Sequence, residues 1–225
     1  MAAFFVTATG TDIGKTFVTA GLIRHLRGQG KPVEALKPVV SGFDPANAVV
    51  SDPAVLLAAL GRPANMDEIA RIAPWHFRAP LSPDMAAKKE ASRIDYDAVV
   101  DFCRRAVAET RGTLFIEGIG GVMVPLDEKR TVTDWIEALG LPVILVAGSY
   151  LGTLSHTLSA LDVLKRRGLR IAVVAVSETP ESPVPLEDTA AAITPFALPA
   201  GVVAIPRLAS ANADHPAFAE IAALL

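Results

Sequence analysis

The most constraining feature of the sequence is the stretch AFFVTATGTDIGKT at residues 3–16. The aromatic and β-branched run from Phe4 to Val6 predicts a buried strand, and the apolar face of FVTAGLIRHL predicts a helix immediately afterwards. The loop between them ends in Gly14-Lys15-Thr16. In such a turn, backbone N–H groups and the helix dipole converge on an anion, a lysine adds positive charge, and a threonine hydroxyl can ligate Mg²⁺. The stretch therefore predicts a phosphate site between a strand and a helix.

The loop departs from the common pattern G-x-x-x-x-G-K-[ST]. Thr9 stands where that pattern has its first glycine, and Gly10 follows one residue later. The alternative is an ordinary strand-to-helix turn that contains Gly-Lys-Thr by chance. Its position between a strand and a helix, and the residues that follow later in the chain, favour the phosphate site.

Strand-like and helix-like stretches alternate about six times along residues 1–225, without an internal repeat. Of these residues 51% are hydrophobic, as expected for parallel strands that helices cover on both faces. The pattern predicts a single α/β domain with a doubly wound, mostly parallel sheet flanked by helices. Residues 62–94 show no clean period, so we expect an irregular connection with a short helix there.

Composition narrows the class of partner. A net charge of −3 gives no sign of a basic surface for binding nucleic acid or an anionic membrane.

The sequence shows neither a secretory signal nor 18 consecutive apolar residues, so we expect a soluble, cytoplasmic protein. Cys103 lies on the apolar side of a predicted helix and is expected in the core. The histidines are scattered without metal-ligand spacing, which argues against zinc.

Three charged residues fall at places where ligands bind in α/β sheets. Pro38 bars the strand VEALKPVV from a central ladder, which puts Lys37 at a carboxyl edge of the sheet. Glu117 ends a buried strand, where a carboxylate is costly without a partner, and Asp52 opens a helix that it could simply cap. Together with Thr16, the two carboxylates suit Mg²⁺. Lys37 is either a solvated strand end or an ammonium that stabilises an anionic reactant.

Several short segments occur in a fixed order along the chain: TGTDIGKT at residues 9–16, KPVVSG at 37–42, SD at 51–52, EGIGG at 117–121, DW at 134–135, and 142–156 from PVILV to LGTLSH. In this combination the sequence resembles the dethiobiotin synthetase family over nearly its whole length. The resemblance implies a fold like that of P-loop NTPases. It also implies an ATP-dependent ligase that joins CO₂ to 7,8-diaminopelargonic acid in biotin biosynthesis.

The resemblance implies a reaction in two stages. One amine of the substrate becomes a carbamate, which attacks the γ-phosphate of MgATP to give a carbamic–phosphoric anhydride. The second amine then closes the ureido ring and expels phosphate. Positive charge is needed to bring the carbamate and the triphosphate together, which Lys15, Lys37 and Mg²⁺ would supply.

The resemblance also assigns roles to individual residues. The implied catalytic residues are Lys37, Lys15 and Thr11. The implied substrate contacts are Thr11, Lys37, Ser41 and Gly118, with Gly152, Thr153, Leu154 and Ser155 receiving the distal carboxylate across a homodimer interface. The implied nucleotide contacts are Asp12, Ile13, Gly14, Lys15, Thr16, Phe17, Asp52, Glu117, Gly118, Ile119, Gly120, Ser177, Glu178, Pro206, Arg207 and Leu208. Thr16, Asp52 and Glu117 are the implied ligands of Mg²⁺.

The sequence departs from the family pattern at a few positions. Ala8 stands where many members have the first loop glycine, and Ser155 replaces a usual asparagine. Ser177-Glu178 occupies the place of a frequent Asn-Asp, whose asparagine reads the adenine edge. A serine hydroxyl cannot reproduce the paired donor and acceptor of an amide, so base discrimination is open.

Other functions remain as alternatives. A ParA/MinD-like nucleotide-switch ATPase shares a deviant phosphate loop, but such proteins usually carry an extra lysine early in the loop, where this chain has Thr9 to Thr11. The closing segment HPAFAEIAALL also has no basic residue for a membrane or DNA. An amidating synthetase of the cobyrinic-acid type needs a glutaminase domain for which the chain is too short. A small-molecule kinase would act without CO₂.

Overall fold

The computed structural model describes residues 2–210 and 214–225. The strands are β1 (Ala2–Ala8), β2 (Val33–Leu36), β3 (Val39–Ser41), β4 (Trp75–Phe77), β5 (Thr113–Glu117), β6 (Val143–Ala147), β7 (Ile171–Ser177) and β8 (Gly201–Ile205). The α-helices are α1 (Lys15–Gly28), α2 (Asp52–Ala59), α3 (Met66–Ile72), α4 (Pro83–Lys89), α5 (Tyr96–Glu109), α6 (Val132–Leu139), α7 (Thr153–Arg166), α8 (Leu186–Ala197) and α9 (Pro216–Ala223). A 3₁₀ segment covers Pro45–Val50.

Six of the strands form one parallel sheet in the order β2-β5-β1-β6-β7-β8. The predicted fold class, a parallel α/β sheet flanked by helices, is therefore confirmed. Because all six strands run in the same direction, their carboxyl ends meet at one edge. In the register, Val6 lies opposite Glu117, and Leu36 lies opposite Ile116. This alignment brings the ends of β1, β5 and β2 side by side.

The core lies between the sheet and its helices. Phe5 of β1 is fully buried, and its ring contacts the Trp135 ring of α6 edge-on at a centroid distance of 4.9 Å. Cys103 of α5 is also fully buried, as predicted, and burial raises the pKa of its thiol to about 12. No helix in the described ranges combines the length and apolar character needed to cross a membrane.

The stretch VEALKPVV is interrupted rather than continuous. Pro38 separates β2 from β3, and β3 leaves the main sheet to pair with β4 in a two-stranded parallel sheet. The prediction that Lys37 follows a strand end is confirmed. The backbone N–H of Lys37 donates to the carbonyl of Ile72 at 3.0 Å, so contacts from a distant segment fix this turn.

The expectation of an irregular connection over residues 62–94 was wrong in large part, because α3, β4 and α4 all lie within it. These elements are short, and three- to seven-residue pieces give little periodic signal. Local signals were nevertheless present. The Asn65 side chain caps α3 by accepting from the N–H of Glu68 at 2.9 Å, and Pro83 lies in the first turn of α4.

Packing between α1 and α9 leaves no room for a side chain at Gly21. An added Cβ there would lie 2.2 Å from the ring of Phe218, which is fully buried. We expect Gly21→Ala to lower the free energy of unfolding by about 1–3 kcal/mol through overpacking, measured by urea denaturation.

Gly28→Ala is the matched control. Gly28 lies in the same helix, and a Cβ added there would have no atom of another part of the chain within 4 Å. Its free energy of unfolding should change by less than about 1 kcal/mol. Equal losses in the two variants would contradict the packing explanation.

Candidate active site

The phosphate loop connects the central strand β1 to α1. Thr9 N–H donates to the carbonyl of Val146 at 3.0 Å, which anchors the start of the loop to β6. Gly14 precedes α1 with a φ of 98°, and a Cβ there would lie 2.7 Å from the Oγ of Ser177. Glycine is therefore required at this position both for its left-handed backbone and for the close approach of β7.

Lys15 begins α1 and folds back over the loop. Its Nζ donates to the carbonyl oxygen of Gly10 at 3.2 Å, and the side chain is buried. Burial, followed by the nearby charge of Lys37, lowers the pKa of Lys15 to about 8. The loop therefore holds an ammonium whose charge is only moderately stable when no anion is present.

Lys37 and Glu117 form a buried ion pair at the edge of the sheet. Lys37 Nζ lies 2.6 Å from Oε1 of Glu117 and 2.9 Å from Oδ2 of Asp52. The same Oε1 accepts a hydrogen bond from Thr16 Oγ1 at 2.7 Å. The structure thus joins Lys37 to the three residues predicted as Mg²⁺ ligands in one hydrogen-bonded cluster.

The charges in this cluster stabilise one another. Burial alone would lower the pKa of Lys37, but the carboxylates of Glu117 and Asp52 outweigh it and the pKa is raised. Burial would raise the pKa of Asp52, and the charge and hydrogen bond of Lys37 outweigh that effect and lower it. Lys37 is therefore a cation and Asp52 an anion at neutral pH.

The cluster is chemically suited to Mg²⁺. Oε2 of Glu117 is buried and has no hydrogen-bond partner among the described residues, while the Asp52 side chain is 47% exposed. Two carboxylates and the Thr16 hydroxyl are hard oxygen donors of the kind that Mg²⁺ uses alongside phosphate oxygens and water. The described part of the chain contains no group of three or more histidine, cysteine, aspartate or glutamate side chains that could hold a metal unaided. Phosphate oxygens and water would have to complete the coordination.

A cavity of about 340 Å³ opens above this cluster. It is lined by Thr11, Asp12, Gly14, Lys15, Thr16, Phe17, Lys37, Val40, Ser41, Asp52, Ile119 and Gly120. We call it the reaction cavity. Among its residues, only Val40 was not predicted from the sequence. It lies in β3, whose departure from the main sheet depends on pairing with β4.

A neighbouring cavity of about 310 Å³ lies between the loop and the ends of β7 and β8. It is lined by Asp12, Ile13, Gly14, Phe17, Ser177, Glu178, Thr179, Pro180, Pro206, Arg207 and Leu208. We call it the base cavity. Glu178 accepts from the N–H of Arg207 at 2.8 Å and so ties the two strand ends together. Thr179 and Pro180 were not singled out from the sequence, although they directly follow residues that were.

Some implied site residues lie elsewhere. Gly152, Thr153, Leu154 and Ser155 line neither cavity, and Gly118 and the fully buried Glu117 are also absent from both linings. The Thr153 hydroxyl is already used, because it donates to the carbonyl of Gly148 at 2.7 Å. Leu151 and Leu154, by contrast, are 84% and 42% exposed at the start of α7. The structure therefore separates this segment from the reaction cavity of the same chain.

Comparison with known proteins agrees with this geometry. A family model described as an AAA domain matches residues 2–213. The ATP-dependent dethiobiotin synthetase BioD of Acidiphilium cryptum is 52% identical over 190 residues, covering 84% of this chain and 85% of that protein. The protein of the same name from Caulobacter sp. strain K31 is 50% identical and covers 96% of this chain and 94% of its own length. The chain belongs to the dethiobiotin synthetase family.

More distant structures share the fold of this dethiobiotin synthetase family member. A ParA family ATPase from Chlorobium tepidum has a TM-score of 0.52 at 15% identity, covering 92% of this chain and 85% of that one. Chloroplast FtsY from Physcomitrella patens has a TM-score of 0.55 at 12% identity. That match covers 99% of this chain but 64% of FtsY, so the chain spans less than two thirds of the FtsY length. These likenesses confirm the prediction of a P-loop NTPase-like sheet.

The pKa of Lys15 gives this synthetase a testable pH dependence. Between about pH 7 and 8 the ammonium is largely charged and the ADP phosphates are ionised, so the affinity for metal-free ADP should be nearly flat. Above pH 8 the free protein must take up a proton to bind, and the affinity should fall by up to about tenfold per pH unit. Calorimetric titrations between about pH 6.5 and 9.5 would measure it.

Lys15→Arg is the matched control, because a guanidinium remains charged throughout this range. Its affinity for ADP should show a much weaker dependence on pH, whatever its absolute value. The same steep fall in both proteins would show that Lys15 is not the titrating group.

Proposed function

We propose that the chain performs the ATP-dependent reaction of its family, in which 7,8-diaminopelargonic acid and CO₂ give dethiobiotin, ADP and phosphate. The observation that carries the proposal is the placement of Lys37. Its buried ammonium lines the same cavity as the phosphate loop and contacts the carboxylates of Asp52 and Glu117. A fixed cation beside a phosphate loop suits the capture of a second anion.

In the proposed reaction, the lone pair of one substrate amine attacks CO₂, and loss of a proton leaves a carbamate. A carbamate oxygen then attacks the γ-phosphorus of ATP, and the bond to the β-phosphate oxygen breaks to release ADP. Finally the second amine attacks the carbamoyl carbon and phosphate departs as the ring closes. Each step keeps negative charge inside the reaction cavity. Catalysis would therefore depend mainly on positioning the reactants and on cationic side chains that stabilise the negative charge.

The residues of the site have different roles in the proposed reaction. Lys15, in the phosphate loop, would bind the phosphates. Lys37, which directly follows β2, would hold the carbamate. The hydroxyls of Thr11 and Ser41 also line the cavity and would orient the substrate. When Mg²⁺ is bound, Thr16 and the two carboxylates would hold it, and it would offset the charge of the triphosphate.

The base cavity is proposed to receive the nucleobase. Phe17, Pro206 and Leu208 give it apolar surfaces for the ring, and the loop residues Asp12 and Gly14 are shared with the reaction cavity. A nucleotide can therefore span both cavities with its phosphates at the loop. Because the proposed reaction consumes ATP, the proposal places the enzyme in the cytoplasm.

We further propose a homodimer in which the start of α7 serves the substrate of the partner subunit. The backbone N–H groups at this helix N-terminus favour a carboxylate. Two observations support the idea: the segment lies outside both cavities of its own chain, and Leu151 and Leu154 are exposed beside it. An apolar, exposed helix start is suitable for contact with a second copy.

Phosphate release by the purified protein tests the reaction directly. We expect release from ATP to need both diaminopelargonate and bicarbonate, so that omitting either one reduces the rate to background. Release that is indifferent to bicarbonate would point to a small-molecule kinase. Release that needs neither compound would point to a ParA/MinD-like switch ATPase.

Lys37→Gln tests the residue on which the proposal depends. The amide keeps polar contacts with the carboxylates but removes the charge, so we expect kcat to fall by about 10²- to 10³-fold. Circular dichroism would verify the fold. Lys88→Gln is the control, because Lys88 is exposed and lines neither the reaction cavity nor the base cavity. A Lys37→Gln protein with wild-type turnover would remove Lys37 from the mechanism.

A further inference from the structure

The position of the Lys37 ammonium suggests more than a role toward substrate. Its Nζ contacts Oε1 of Glu117 and Oδ2 of Asp52, the two carboxylates proposed to hold the divalent cation. Thr16, the remaining proposed ligand, donates its hydroxyl hydrogen to the same Oε1. The chain therefore places a cation of its own beside both proposed carboxylate ligands.

A divalent cation and this ammonium compete for the same two carboxylates. Mg²⁺ binds carboxylate oxygens at about 2.1 Å, so an ion held by Glu117 and Asp52 would come within a few ångströms of Nζ in its present position. Two cations at that separation inside a buried site repel strongly. This repulsion favours movement of the ammonium away from the carboxylates when the metal binds.

The backbone at Lys37 is fixed while its side chain can move. Its N–H is bonded to the carbonyl of Ile72, and the following Pro38 restricts the backbone of Lys37 to extended conformations. The four-carbon side chain ends in a compact ammonium with several rotatable bonds. Since Lys37 also lines the reaction cavity, that space lies next to its side chain.

We propose that Lys37 is the resident counter-ion of the metal site, and that divalent-cation binding displaces its ammonium from Glu117 and Asp52 into the reaction cavity. In the absence of metal, the ammonium stabilises a glutamate that is fully buried. In its presence, the ammonium is free to hold an anionic reactant. This second part rests on the proposed function, whereas the displacement itself does not.

Binding of Mn²⁺ alone, without nucleotide, tests the displacement by calorimetry. We expect Lys37→Met to bind Mn²⁺ at least about tenfold more tightly than the wild type, because the competing ammonium is gone. Lys88→Met is the control. Lys88 is exposed, pairs with Glu128 and lines neither the reaction cavity nor the base cavity, so its removal should change the affinity by less than about threefold. Unchanged or weaker binding by Lys37→Met, or an equal gain in both variants, would overturn the proposal.

A second measurement uses the wild-type protein and does not depend on the folding of a variant. The rate of acetylation of Lys37 by an amine-reactive ester is followed by mass spectrometry with ADP, with and without Mg²⁺. Released from its carboxylates, the amine should react at least about fivefold faster with Mg²⁺, while exposed Lys88 stays constant as the internal reference. An unchanged rate at Lys37 would contradict displacement.

These tests are independent of the phosphate-release assay. If release proved indifferent to bicarbonate, the ligase proposal would fail, yet the Mn²⁺ and acetylation results would still report on the ammonium. If Mn²⁺ affinity were the same in wild type and Lys37→Met, the displacement would fail while the ligase reaction stood.

Discussion

The arrangement of this site depends on one buried ion pair, between the Lys37 ammonium and the Glu117 carboxylate. Each group would be costly to bury alone, and each is placed by the end of a strand. Lys37 directly follows β2 and Glu117 ends β5, and these strands are neighbours in the sheet. Because β1 lies on the other side of β5, the phosphate loop that follows β1 reaches the same place. The strand order thus brings residues that are far apart in the sequence together in one site.

The loop divides the space above the sheet into two compartments with different chemical character. The reaction cavity collects charge, with Lys15, Lys37 and Asp52 in its lining. The base cavity adds apolar surface from Ile13, Phe17, Leu208 and two prolines, and the contact between Glu178 and the backbone of Arg207 joins the strand ends that border it. In the proposed reaction, a nucleotide would span both cavities, with its phosphates beside Lys15 and Lys37.

Much of this could be predicted from the sequence, because its signals are local. The glycine-rich loop with Lys15, the strand end at Glu117 and the break at Pro38 each follow from short-range chemistry. The direct contact between Lys37 and Glu117 could not be predicted, since it depends on which strands are neighbours. The pairing of β3 with β4 was missed for the same reason, and with it the place of Val40 in the cavity. The implied role of the segment at residues 152–155 remains a prediction, because it concerns a second copy of the chain.

A double-mutant cycle in the free energy of unfolding tests the central claim most directly. Lys37→Met leaves Glu117 buried without its partner and should cost about 3–5 kcal/mol. If the two groups stabilise each other, combining Lys37→Met with Glu117→Gln should recover at least about 2 kcal/mol relative to the sum of the single effects. Additivity within about 0.5 kcal/mol would show that the two side chains are energetically independent, and would contradict the dependence of the site on this ion pair.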